Sequence, residues 1–205
     1  MNLFLGFVKL TGCLPAWLFF KPRVRLAPGA KRALPKPCIL VSNHQSLLDF
    51  VLYLLVFPFR TVRFLMAEVL FNKGRLFAWF LGAIGGIRVD RDTKDFGFVS
   101  DTIAVLDQGG TVGIFPQGRL PVGGKPFPFT VSAAFIAIHA EASIVPVYTR
   151  GNYGLFRRAD VVIGPAFCIR DYLTPGMEEQ AQLQALTDLL EEKVYSLKKE
   201  IGDAE

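Results

Sequence analysis

The sequence predicts one α/β domain, a largely parallel sheet flanked by helices, preceded by an apolar segment. Three observations predict it. Short apolar runs of strand length alternate with helical patterns through the middle of the chain. Glycine pairs and polar clusters punctuate them. The final segment carries Leu183, Leu186, Leu190, Val194, Leu197 and Ile201 at three- and four-residue steps, the period of an amphipathic helix. A chain of 205 residues is long enough for one well-formed core.

Met1 to Phe20 is apolar and aromatic. Lys9 interrupts it, and Gly12 and Pro15 are expected to break the helical run before the roughly 20 residues that a membrane span needs. Trp17, Phe19 and Phe20 are followed by Lys21, Arg23 and Arg25, a pattern that suits an amphipathic segment lying in a membrane interface. The segment lacks the basic start and small-residue cleavage site of a secretory signal. Residues 1–25 are therefore read as an interfacial anchor and 26–205 as the globular domain. The alternatives are a helix packed on the protein's own core and a true span.

Pro22 to Pro37 reads as a connector rich in Pro and Lys. Cys38–Val41 reads as a buried strand that stops abruptly in Ser42-Asn43-His44-Gln45-Ser46, with a helix starting near Leu47. Val62–Met66 predicts a second strand, Leu76–Leu81 a helix ended by Gly82 and Gly85-Gly86, and Ile87–Val89 a short strand. Val99, Ile103 and Leu106 share one helical face, closed by Gly109-Gly110. Thr111–Phe115 predicts another buried strand, Val131–Ala140 a helix, and Ser143–Tyr148 and Val161–Ile163 strands. The last helix is expected to begin at Thr174-Pro175, a capping residue and a first-turn proline.

Half of the residues are apolar and the mean hydropathy is +0.36, high for a freely soluble chain and low for a polytopic membrane protein. That balance fits a protein bound to a membrane surface. A net charge of +5 and a pI near 9.2 favour phosphate-bearing partners, either anionic lipid or nucleic acid. Cys13, Cys38 and Cys168 lie far apart, and His44 and His139 are the only histidines, so neither a disulfide framework nor a zinc site is supported.

Asn43-His44-Gln45-Ser46-Leu47-Leu48-Asp49 is the sharpest chemical feature, because α/β sheets place their sites at strand ends. A histidine accepts a proton from an alcohol near neutral pH, and a carboxylate on its other ring nitrogen fixes the tautomer. On an unbroken helix, residues five apart point about 140° away from each other. His44 and Asp49 meet only if the first lies in the loop and the second in the first helical turn. The competing reading is a capping box of Ser46 and Asp49, with His44 a plain loop residue.

This segment is similar to the His-x-x-x-x-Asp signature of the glycerolipid acyltransferases. Three further stretches follow in that family's order: Gly85-Gly86-Ile87-Arg88-Val89-Asp90-Arg91, Phe115-Pro116-Gln117-Gly118-Arg119, and Ile144-Val145-Pro146-Val147-Tyr148. The resemblance covers residues 38 to about 165 and is closest to the lysophosphatidic acid (1-acylglycerol-3-phosphate) acyltransferases. It implies that His44 removes the proton of an acceptor hydroxyl, that Asp49 orients His44, and that the hydroxyl attacks the thioester of acyl-CoA or acyl carrier protein. Neither a cofactor nor a metal is implied. Arg91 and Arg119, with Gln117 and Gly118, carry over as the acceptor's phosphate site, and a backbone N–H near Gly118 as the oxyanion donor. The family's glutamate is Gln117 here, and Arg119 follows Gly118 directly. Phe127 to Ser132 lacks the family's usual lysine and glycine.

The apolar N-terminal segment, the basic charge and the phosphorylated substrates that the resemblance implies together place the protein on the cytoplasmic face of a membrane, monotopic, with membrane lipids, a lysophospholipid and the acyl donor as partners. Another lysophospholipid acceptor and a catalytically idle lipid-binding homologue are the alternatives that Gln117 raises. No Gly-x-Ser-x-Gly elbow supports a hydrolase. The arginines lie scattered among apolar strands, which leaves no nucleic-acid platform. His139, in an apolar helix, is read as structural.

Overall fold

The computed structural model describes residues 3–90, 97–151 and 153–202. In chain order the elements are α1 (Leu3–Phe20), β1 (Arg23–Leu26), β2 (Cys38–Ser42), α2 (Asp49–Val56), β3 (Val62–Ala67), α3 (Glu68–Phe71), α4 (Arg75–Ala83), β4 (Ile87–Val89), α5 (Gly97–Asp107), β5 (Thr111–Ile114), α6 (Ser132–His139), β6 (Ser143–Thr149), β7 (Asp160–Ile163) and α7 (Glu179–Ser196). Short 3₁₀ segments follow at Ile169–Tyr172 and Leu197–Ile201.

The strands form one sheet in the order β1-β7-β6-β2-β5-β3-β4. All neighbours are parallel except β6 and β7. The predicted largely parallel sheet is therefore present. β2 is central and buried along its whole length, as a strand covered on both faces must be. Its side chains alternate: Ile39 and Val41 enter a core shared with α5, α6 and α7, while Cys38 and Leu40 enter one shared with α1, α2 and α4.

Three expectations are corrected. First, Arg23–Leu26, read as the end of the anchor and the start of a connector, is an edge strand in register with Asp160–Ile163. Four residues are too few to show a period, and the strand is held from a distance. Arg25 donates 2.6 Å bonds to the carbonyls of Glu200 and Ile201.

Second, α1 runs without a break through Gly12 and Pro15. An interior proline costs about 3 kcal/mol and a glycine about 1. Packing offsets this: Phe4, Val8, Ala16 and Phe19 lie against the core under α2 and α4, and the Phe4 ring sits 4.9 Å from that of Trp79. Lys9 does not interrupt the helix but fastens it, its ammonium donating to the carbonyls of Phe57, Pro58 and Arg60 at 3.4, 2.9 and 2.6 Å, where the α2 dipole is negative. The opposite stripe of α1, formed by Leu3, Phe7, Leu10, Leu14, Trp17 and Leu18, is exposed. The helix is thus apolar on both sides rather than amphipathic. Among the described residues no helix is long and apolar enough to cross a membrane.

Third, α7 starts at Glu179, not at Thr174-Pro175. Gly176, at φ +79°, is incompatible with a helix, and the Glu178 carboxylate caps the N–H groups of Gln180 and Ala181.

Candidate active site

β2 and β5 are parallel neighbours, so the loops that leave them, 43–48 and 115–119, meet at the same edge of the sheet. His44 lies in the first loop and Asp49 opens α2, the arrangement the five-residue spacing required. His44 Nδ1 is 2.8 Å from Asp49 Oδ2. Asp49 is fully buried, and the same oxygen accepts from the backbone N–H groups of Gln45 (2.7 Å) and Ser46 (3.0 Å). The capping interaction and the histidine bond therefore coexist on one carboxylate. With Nδ1–H donated to Asp49, Nε2 is the nitrogen left to accept a proton. The imidazole stacks on Phe115 at 4.4 Å, which fixes its plane.

Two further groups hold this loop, Asn43 within the motif and Tyr153 far from it, and the sequence assigned a role to neither. Asn43, completely buried, exchanges bonds with the backbone of Thr149, from Nδ2 to the carbonyl at 2.7 Å and from the N–H to Oδ1 at 2.8 Å. Tyr153, in the loop after β6, donates its hydroxyl to Asp49 Oδ1. Burial, and then the charge of Asp49, holds the Tyr153 phenol far above its ordinary range, so it acts as a donor.

The second loop departs from expectation. Gln117, placed by sequence at the phosphate site, is only 3 % exposed. Its Oε1 accepts from the His44 N–H at 2.5 Å and its Nε2 donates to the Tyr195 hydroxyl at 3.2 Å. Buried there, it braces the His44 backbone, and its side-chain oxygen and nitrogen are both engaged within the protein. Gly118 takes φ +65°, and its N–H donates to the Phe115 carbonyl at 2.9 Å, closing a turn. That N–H is therefore already used in the turn. Arg119 is exposed and lies over the Phe127 ring at 5.8 Å. Arg91 lies outside the described residues. Its neighbour on β4, Arg88, is paired with Glu68. His139 bonds the Phe135 carbonyl on the outer face of α6.

An open apolar cleft of about 470 Å³ runs from His44 between α2, β3 and α4, lined by Leu48, Phe64, Met66 and Leu81, with Arg119 at its wall. Lys73, in the turn before α4, lines it too and was not singled out by any motif.

Fold and site together define a class: an α/β sandwich that presents a histidine–carboxylate pair at the ends of its central parallel strands, beside an apolar cleft. Residues 27–150 match the Acyltransferase family, and the chain belongs to it. Its sequence is 32% identical over 113 residues to human 1-acyl-sn-glycerol-3-phosphate acyltransferase beta, a match covering 55% of this chain and 41% of that protein. It is 28% identical over 175 residues to the mouse alpha enzyme, covering 82% and 60%. The chain spans about half the length of these relatives. The fold is that of the 1-acyl-sn-glycerophosphate (LPA) acyltransferase of Thermotoga maritima, with a TM-score of 0.66 at 21% identity over 95% of this chain and 80% of that one.

Proposed function

We propose that this protein transfers a fatty acyl group from an acyl thioester, acyl-CoA or acyl carrier protein, to the free hydroxyl of lysophosphatidic acid, giving phosphatidic acid in phospholipid biosynthesis. The observation that carries the reading is the His44–Asp49 pair opening onto an apolar cleft walled by a cation. His44 Nε2 takes the hydroxyl proton as the oxygen attacks the thioester carbon. The carbon–sulfur bond then breaks, and the imidazolium returns the proton to the departing thiolate. Asp49 holds the ring and stabilises its charged form. No acyl-enzyme is required, because the acceptor hydroxyl is itself the nucleophile. The guanidinium of Arg119 suits a phosphate, and the cleft suits an alkyl chain.

The related enzymes named for 1-acylglycerol-3-phosphate support this acceptor. Gln117 does not favour the idle reading, because its carbonyl makes the bond to His44 that a carboxylate would make. The exposed apolar stripe of α1 supports association with a membrane surface, which we place on the cytoplasmic side, where the acyl thioester donor is at hand.

The test is acyl transfer by purified protein in detergent, offered a panel of lysophospholipids with both donors. Wild type is expected to acylate lysophosphatidic acid, and folded His44→Ala to lose about 10³-fold or more. Transfer to a different acceptor alone would reassign the substrate, and no transfer at all would sink the reading.

A further inference from the structure

We propose that the loop joining β6 to β7 is a second lipid-contacting element, docking on an anionic membrane surface beside α1. This rests on the membrane association proposed above. The tip of the loop holds Leu155 and Phe156 outward, Phe156 being 99% exposed, and exposed Arg157 and Arg158 follow directly. A bare aliphatic–aromatic pair next to two guanidinium groups matches the order of a bilayer interface, acyl chains beneath anionic headgroups. The tip is fixed in place. Lys21, at the end of α1, donates its ammonium to the Leu155 carbonyl, and the backbone N–H of Ala159 bonds the Phe20 carbonyl at 2.8 Å. The tip thus adjoins the end of the apolar α1 stripe at Trp17 and Leu18.

The experiment is sedimentation with phosphatidylcholine vesicles, with and without phosphatidylglycerol. The variants are Leu155→Asp/Phe156→Asp, Arg157→Glu/Arg158→Glu, and Leu10→Asp/Leu14→Asp in α1. The first loop variant is expected to partition about tenfold less into both vesicle types. The charge reversal should weaken binding only where phosphatidylglycerol is present. If both loop variants bind as wild type while the α1 variant is released, the loop proposal is wrong and membrane association stands. If wild type does not sediment with either vesicle, both fall.

Different contacts carry a second inference. The geometry points to Tyr153 as a positioning residue for the His44–Asp49 pair. Asp49 Oδ2 takes three donors, but among the described residues Oδ1 takes only the Tyr153 hydroxyl. The loop is seated on the histidine loop. A Cβ on Gly151, at φ +70°, would lie 2.3 Å from that of Gln45, so only glycine allows the approach. The Tyr153 ring in turn stands edge-on to Phe20 of α1 at 5.0 Å. Removing the hydroxyl leaves a buried carboxylate oxygen without its donor and frees the carboxylate to rotate.

Tyr153→Phe is expected to lower kcat by about 10- to 100-fold with KM nearly unchanged, and to displace the pH–rate profile. A titration of the His44 imidazole by NMR, distinguished from His139 with His139→Gln, should show the same displacement. That readout does not need activity, so it separates failure here from failure of the proposed reaction. A Tyr153→Phe protein with wild-type kcat and an unmoved His44 titration would overturn the assignment.

Discussion

On one face of the sheet α5, α6 and α7 bury Leu106, Ile136, Leu186, Leu190 and Val194 while α7 turns Gln184, Asp188 and Glu192 outward. On the other face α1 and α4 bury Phe20 and Leu81, yet turn Leu10, Leu14, Trp17, Leu76 and Trp79 outward. The same sheet alternation feeds both cores. The difference lies in the outer layers: the first is polar, and the second keeps an apolar exterior, which is what the proposed membrane association calls for. The histidine–carboxylate pair sits at the strand ends between them, and the cleft opens through the second face. An apolar substrate arriving from a bilayer would thus reach His44 without crossing the polar layer.

The largest effect is expected where the faces join. Asp49→Asn should cut acyl transfer by about 10²- to 10⁴-fold, because the amide cannot stabilise the charged imidazole and can favour the wrong tautomer. Activity within tenfold of wild type would break the link between burial and chemistry at this edge.

The faces should separate next. Leu190→Ala, in the closed core, is expected to lose about 2–5 kcal/mol in chemical unfolding, with or without detergent. Leu14→Asp, on the open face, should change that value by less than about 0.5 kcal/mol while reducing vesicle binding. Equal destabilisation by the two would erase the contrast.

Lys9→Met is a finer probe, keeping the apolar stem but removing the ammonium from the end of α2. A loss of about 1 kcal/mol is expected, read by thermal unfolding. Burial lowers the Lys9 pKa, so the folded state binds this proton less tightly than the unfolded chain. Desolvation therefore opposes folding while this group is charged, and its contribution to stability rises as pH climbs from the lowered folded value towards the unfolded 10.5.

The smallest effect is chemical. Cys13 and Cys168 are exposed and should react with a thiol reagent in the native protein, whereas Cys38 should react only on unfolding. Burial raises the Cys38 thiol from 9.0 to about 12, so its contribution to stability is complete below pH 9 and lost as pH approaches 12. Early labelling of Cys38 would mean that the core beneath the open face admits water.

Much of this was legible from local pattern. Short apolar runs marked β2 to β7, because a strand covered on both faces is apolar throughout and one covered on a single face alternates. Loop and helix turn at Ser46–Asp49 made the His44–Asp49 bond geometrically possible, and the four blocks in order named the family. Tertiary structure alone decided the rest. The Arg23–Leu26 segment became a strand because β7 and the carbonyls of Glu200 and Ile201 were there to hold it. Gln117 moved from the expected substrate site to the back of His44, and Gly118 spent its N–H in a turn. Tyr153 reached Asp49 from 104 residues away. A period in sequence records which side of an element is buried, whereas a hydrogen bond between distant loops depends on where the whole sheet brings their ends.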